Sequence, residues 1–211
     1  VTPSEINAVD VIIPGDISSA SYWLVAGCIH QNADLTIKNV GINKTRSGII
    51  NVLNRMGAKI KMSNKLDYSG EPVCDINISS TNLKATTISG EEIPLLIDEI
   101  PIIALAAVFA EGETKISDAE ELRYKESDRI ALTVEWMRKA GAEIEELKDG
   151  MIIKGNGKIT GGKFSSHGDH RLAMTLGIAS LISEKPIEIE NSEVSNVSYP
   201  KFWETLERIG N

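Results

Sequence analysis

Three stretches of this chain are apolar on nearly every side when wound as helices: SSASYWLVAGCI from Ser18, DEIPIIALAAVFA from Asp98 and DHRLAMTLGIASLI from Asp169. A helix without a polar face must be covered on all sides. The three are therefore expected to bury one another. Each opens on a residue suited to a helix start, Ser or Asp, and Pro101 fits the first turn of the second, where no amide hydrogen is needed.

The same order of elements follows each apolar helix. A short strand pattern comes next (DLTIKNV, TKISDAE, PIEIENS), then an amphipathic helix (RSGIINVLNRMGA, ESDRIALTVEWMRKAGA, YPKFWETLERIGN). Each amphipathic stretch ends in a glycine, Gly57, Gly141 or Gly210, as a left-handed C-terminal cap requires. The starts Ser18, Asp98 and Asp169 are 80 and 71 residues apart, and the glycines 84 and 69. This is a threefold internal repeat with variable hairpin insertions. AKIKMS and AEIEEL follow two of the helices as strand patterns, and CDINISS, MIIKG and VDVIIPG are further strand candidates. The fold class expected is α/β (α+β): three small units of about residues 10–80, 81–160 and 161–211 in one domain, with buried helices and short-stranded mixed sheets. Arranged about a pseudo-threefold axis, the three apolar helices would turn their N-termini to one end, an anion-attracting surface.

The chain is 211 residues long with a formal net charge of −8. That balance speaks against general nucleic-acid binding, which needs a basic footprint. The longest apolar run is too short to span a bilayer, and no basic stretch with a following apolar one marks a signal peptide. Cys28 lies in an apolar run and Cys74 in a strand pattern, so neither a disulfide framework nor a zinc site is expected. The expected location is the cytoplasm. The first residue is Val1 rather than Met, as in a fragment or a processed product. The glycines of GNGKITGG, 155–162, do not stand between a strand and a helix, so they are read as a loop or hairpin rather than a phosphate cradle.

EELRYKESDRI, residues 120–130, carries seven charges in eleven positions. Read as a helix that opens at Lys125, Glu126, Ser127, Asp128 and Arg129, it sets two cations four residues apart on one face, at the end where the macrodipole disfavours them. An anionic ligand would relieve both costs. Asp98, Asp169, His170 and Arg171 stand at the other helix starts. Asp98 could equally be a helix cap, His170 a satisfied structural histidine, and Arg171 the ion-pair partner of Asp98 or Asp169.

IPGDISSASYWLVAG, LIDEIPIIALAAVFAEGET, ELRYKESDRI, GDHRLAMTLGIASL and VSYPKFWETLERIG together resemble the C-terminal half of the enolpyruvylshikimate-phosphate synthase (3-phosphoshikimate 1-carboxyvinyltransferase) family, over essentially the whole chain. The resemblance implies one domain of a two-domain enolpyruvyl transferase fold. It implies transfer of the enolpyruvyl group of phosphoenolpyruvate to the 5-hydroxyl of shikimate 3-phosphate, without metal or organic cofactor. By resemblance Asp98 holds and deprotonates that hydroxyl, Lys125 contacts shikimate 3-phosphate, and Glu126 moves the proton at C3. Arg129 and Arg171 clamp phosphoenolpyruvate, with Asp169 and His170 in support. These five, Asp98, Lys125, Glu126, Arg129 and Arg171, are expected on one face and partly open to solvent. Some positions depart from the pattern: Val197 and Ser198 precede Tyr199-Pro200 where some members have an extra lysine, and Glu121 stands where some have asparagine. The family's other domain is absent, so the partner expected is the N-terminal half of the same enzyme. Two other readings are a UDP-N-acetylglucosamine enolpyruvyl transferase, which often uses a reactive loop cysteine, and an isolated domain without catalytic activity.

Overall fold

The computed structural model describes residue 8 and residues 10–210. The first unit comprises α1 (Ile17–Ile29), β1 (Asp34–Gly41), α2 (Gly48–Arg55), β2 (Lys59–Tyr68) and β3 (Glu71–Ser79). Its sheet has the order β1-β3-β2, antiparallel throughout. The second comprises β4 (Leu83–Lys84), β5 (Thr87–Ile88), α3 (Ile100–Val108), β6 (Ala110–Glu111), β7 (Glu113–Ile116), α4 (Arg129–Lys139), β8 (Glu143–Leu147) and β9 (Gly150–Lys154). Its four-stranded sheet runs β5-β7-β9-β8, with one parallel pair, while β4 and β6 form a separate parallel pair. The third comprises β10 (Gly162–Ser165), α5 (His170–Ser180), β11 (Ile187–Glu190) and α6 (Phe202–Gly210), with β10 and β11 parallel.

The apolar helices α1, α3 and α5 each pack against the other two. Every residue of α3 is buried, which is why it tolerates no charged side chain along its length. Small residues let the helices come close. At Gly177 of α5, an added Cβ would lie 2.7 Å from the Phe202 ring and 2.9 Å from that of Trp203. Phe202 stacks on Trp23 with centroids 5.3 Å apart and meets Tyr22 edge-on, so an aromatic cluster joins α6 to α1. Among the described residues no helix is long and apolar enough to cross a membrane.

Two glycine caps form as the sequence pattern requires. Gly57 and Gly141 have φ of +92° and +89°, and the next residues, Ala58 and Ala142, donate to Leu53 and Met137 five positions back, the geometry of a left-handed helix stop. Gly210 differs. It lies inside α6 and outside the left-handed region, and a Cβ there would come 3.1 Å from Leu181. Its smallness serves packing rather than capping. The final residue of that stretch, Asn211, lies outside the described residues.

VDVIIPG does not form a strand. Val9 lies outside the described residues, residues 10–14 have no regular structure, and Val11, Ile12 and Ile13 are exposed. Pro14 has no amide to give a ladder, and pairing is confined to Gly15, which bridges Val40. The glycine-rich stretch is a loop up to Gly161, followed by β10.

Candidate active site

The helix starts differ in detail from the sequence expectation, and the differences build the site. Asp16, not Ser18, caps α1, accepting from the Ser19 amide at 2.8 Å. Asp98 caps nothing: it sits with Glu99 in a 3-10 turn, Ile97–Glu99, that leads into α3. Adjacent residues of such a turn point about 120° apart. The Asp98 side chain accordingly reaches the surface, 32% exposed, while that of Glu99 is buried. Asp169 is the cap of α5, accepting from the amides of Arg171 at 2.8 Å and Leu172 at 3.4 Å.

The segment 120–130 is not one helix. A 3-10 turn, Glu120–Tyr124, gives way to a bend over 125–127, and α4 begins at Arg129 with Asp128 as its cap, 2.9 Å from the Ala131 amide. Lys125 therefore lies outside the helix in extended backbone, and it shares no helical face with Arg129. The reason is local: Asp128 competes for the helix amides as a cap. Arg123 then ties this corner to the β8–β9 turn. It donates to Asp128 at 2.8 Å, Glu146 at 2.9 Å and the carbonyls of Leu147 and Lys148 at 2.7 Å each.

These elements bring Asp98, Lys125, Glu126, Arg129, Asp169 and Arg171 into one cluster. Asp98 is its hub. One carboxylate oxygen accepts from Arg129 Nη1 at 3.0 Å and lies 4.0 Å from Lys125 Nζ, and the other is 3.3 Å from Arg171 Nη2. Arg129 is not partly open to solvent, as the sequence suggested, but 1% exposed. Its Nε donates to Asp169 Oδ2 at 2.8 Å, and its Nη2 to Glu126 Oε2 at 2.5 Å and Asp169 Oδ1 at 3.4 Å. Lys125 is also paired, with Glu121 at 2.7 Å. The repulsion between cations read from the sequence is thus answered inside the protein, by carboxylates delivered from three different segments.

The electrostatics follow from this packing. Burial alone would push the Asp169 carboxyl up, but the Arg129 hydrogen bond and charge, the Ser127 hydroxyl at 2.9 Å and the Arg171 amide hold it below the usual carboxylate range. His170 is pushed down, by burial first and then by the Arg171 charge, so it favours the neutral imidazole. Glu99 goes up, chiefly by burial. Its Oε1 has no hydrogen-bond partner, and Arg171 Nη1 stands 3.8 Å away. Arg171 also lies against the buried Tyr22 hydroxyl, whose own ionisation is suppressed mainly by burial. Tyr22 and Glu99 were not among the residues singled out from the sequence. Glu99 could have been found as a carboxylate on a helix start with no polar face. Tyr22 is hidden in an apolar run.

The helix triad sheathed by short sheets is the fold of the enolpyruvyl transferases. The solved enolpyruvyl transferase NikO from Streptomyces tendae shares it at a TM-score of 0.70 and 17% identity, over 92% of this chain and 42% of that one. More specifically, the chain belongs to the EPSP synthase (3-phosphoshikimate 1-carboxyvinyltransferase) family, whose model matches residues 1–206. The 3-phosphoshikimate 1-carboxyvinyltransferase of Bacillus subtilis (strain 168) is 52% identical over 206 residues, 97% of this chain and 48% of that protein. That of Synechococcus sp. (strain RCC307) is 48% identical, over 98% of this chain and 47% of the relative. The EPSP synthase of Acinetobacter baumannii superposes with a TM-score of 0.91 at 40% identity, covering 94% of this chain and 46% of that structure. The chain spans about half the length of the relatives it matches.

Proposed function

We propose that this chain is the C-terminal half of an enzyme that transfers the enolpyruvyl group of phosphoenolpyruvate to the 5-hydroxyl of shikimate 3-phosphate and releases phosphate. The observation that carries the reading is the Asp98 carboxylate, shared between Arg129 and Arg171 with Lys125 at its edge. Two arginines held by one carboxylate stand close enough for one small dianion to engage both, and guanidinium suits carboxylate and phosphate alike.

In this reading Asp98 takes the proton of the 5-hydroxyl as its oxygen attacks C2 of phosphoenolpyruvate. Glu126 delivers a proton to C3. The tetrahedral intermediate then loses phosphate, and Glu126 recovers the C3 proton. Lys125 contacts shikimate 3-phosphate, Arg129 and Arg171 hold phosphoenolpyruvate, and Asp169 and neutral His170 support the arginines. None of these steps calls on a metal or organic cofactor. The three units of about 10–80, 81–160 and 161–211 form one of two domains, in a cytoplasmic enzyme whose N-terminal half is the partner. The UDP-N-acetylglucosamine reading is the weaker one. Cys28 and Cys74 are both buried, and burial pushes the Cys28 thiol up to about 12, the reverse of a reactive loop cysteine.

Closure of two domains excludes water and completes the charge constellation in such a mechanism. Each charged hydrogen bond missing with the other half is worth about 1.5–3 kcal/mol. Steady-state phosphate release from phosphoenolpyruvate and shikimate 3-phosphate tests the reading. The 211-residue chain alone should turn over negligibly, and addition of a separately produced N-terminal half should restore measurable release. No release from the docked halves would refute the assignment.

A further inference from the structure

Arg129 reaches three carboxylates, and they are not equally held. Asp169 is fully buried and also caps α5 and accepts from Ser127. It cannot leave without unmaking a helix start. Asp98 is bound on both oxygens by Arg129 and Arg171. Glu126 is different. It stands on the bend before α4, its side chain is 51% exposed, and Arg129 Nη2 is the hydrogen-bond partner its carboxylate has. A rotation of that one side chain into water uncovers the outer edge of a guanidinium that is otherwise 1% exposed.

We propose that Glu126 is a place-holder: its carboxylate occupies, on Arg129, the position that an anionic ligand takes, and the ligand binds by displacing it. Two consequences follow. The site discriminates by charge, because an incoming monoanion merely replaces one carboxylate with another. A phosphate dianion adds attraction to Arg171 and Lys125, which stand around the same Asp98. Displacement also releases Glu126 from its ion pair at the moment the ligand arrives, so that a carboxyl group becomes free to face it. The identity of the ligand as phosphoenolpyruvate rests on the function proposed above, but the displacement itself does not.

The test is titration of the 211-residue chain with inorganic phosphate by calorimetry, with melting temperatures recorded to verify that each variant is folded. Glu126→Gln keeps the shape, removes the competing charge and should bind phosphate about tenfold more tightly or better, the worth of a freed charge-assisted contact. Glu120→Gln makes the same change in net charge at a carboxylate that pairs with Lys148 rather than Arg129. It should shift affinity less than about twofold, as expected of an exposed charge paired away from Arg129. Glu126→Asp keeps the charge on a side chain one methylene shorter, and it too should tighten binding. Equal gains from Glu126→Gln and Glu120→Gln would reduce the effect to net charge and overturn the proposal. So would unchanged affinity in both Glu126 variants, or no phosphate binding by any variant. Turnover by the docked halves with no gain from Glu126→Gln sinks the place-holder alone. A gain without turnover sinks the substrate assignment alone.

Discussion

Arg129 and Asp169, 40 residues apart in the chain, face each other through two hydrogen bonds at 2.8 and 3.4 Å, with side chains 1% and 0% exposed. A buried ion pair of this kind contributes little compared with an apolar pair, but removing one member strands a charge.

Arg129→Ala should therefore do more than weaken the ligand binding proposed for it. It leaves Asp169 buried without its cation and should destabilise the chain by about 3–5 kcal/mol. Arg129→Lys keeps the charge but loses the fork that spans three carboxylates, and should fall between. Urea unfolding of the three proteins gives the order. A loss below about 1 kcal/mol in Arg129→Ala would mean that the cluster does not hold the fold.

On the proposed function Asp98, the partly exposed hub of the cluster, is the general base, so its removal should act mainly on catalysis. In the docked two-half enzyme, Asp98→Asn should lower kcat by about 10²–10⁴, the range for a general base. The effect on KM for phosphoenolpyruvate should be smaller. Steady-state phosphate release separates the two constants.

Glu99 and Asp169 should give opposite pH dependences. Glu99 is raised in the folded chain from 4.5, mainly by burial, so the folded form binds more protons between 4.5 and its own higher value, and stability falls as pH rises through that window. Glu99→Gln should match the parent below about pH 4.5 and become the more stable protein above it. Asp169 is lowered from 3.8, so the stability it contributes is present above 3.8 and lost as pH falls through its folded value. Asp169→Asn should accordingly close its deficit in strong acid. Melting temperatures from about pH 1.5 to pH 8, a range that reaches well below the ordinary carboxylate values, check both signs.

Gly155→Ala tests a close approach rather than a turn. A Cβ there would lie 1.6 Å from the Ala110 carbonyl oxygen and 3.2 Å from that of Ala107, so backbone must move, at a cost of about 1–3 kcal/mol or more. Gly57→Ala meets nothing within 4 Å but must adopt φ near +92°, which costs about 1–2 kcal/mol. Chemical denaturation should place Gly155→Ala as the more damaging of the two.

Much of this protein was determined by local pattern. The apolar helices, the strands after them and the stops at Gly57 and Gly141 follow from hydrophobic periodicity and backbone sterics, which act over a few residues and are written in order along the chain. The resemblance supplied the family. What the pattern misjudged, it misjudged where one local preference competes with another. Asp128 stops the helix short of Lys125, Pro14 and its exposed neighbours fail to make a strand, and Gly210 packs rather than caps.

Only the tertiary structure decided the charges. From the sequence, Lys125 and Arg129 looked like cations in need of an outside anion. In the fold, Asp98, Glu121, Glu126 and Asp169 converge on them. Two of these four lie about thirty or forty residues from Arg129. Coulomb interaction depends on distance through space and on burial, and neither is a property of spacing along the chain. The sequence could name the charged residues at the helix starts; which of them neutralise one another, and which stays free to move, was settled by the packing of three helices that carry almost no charge at all.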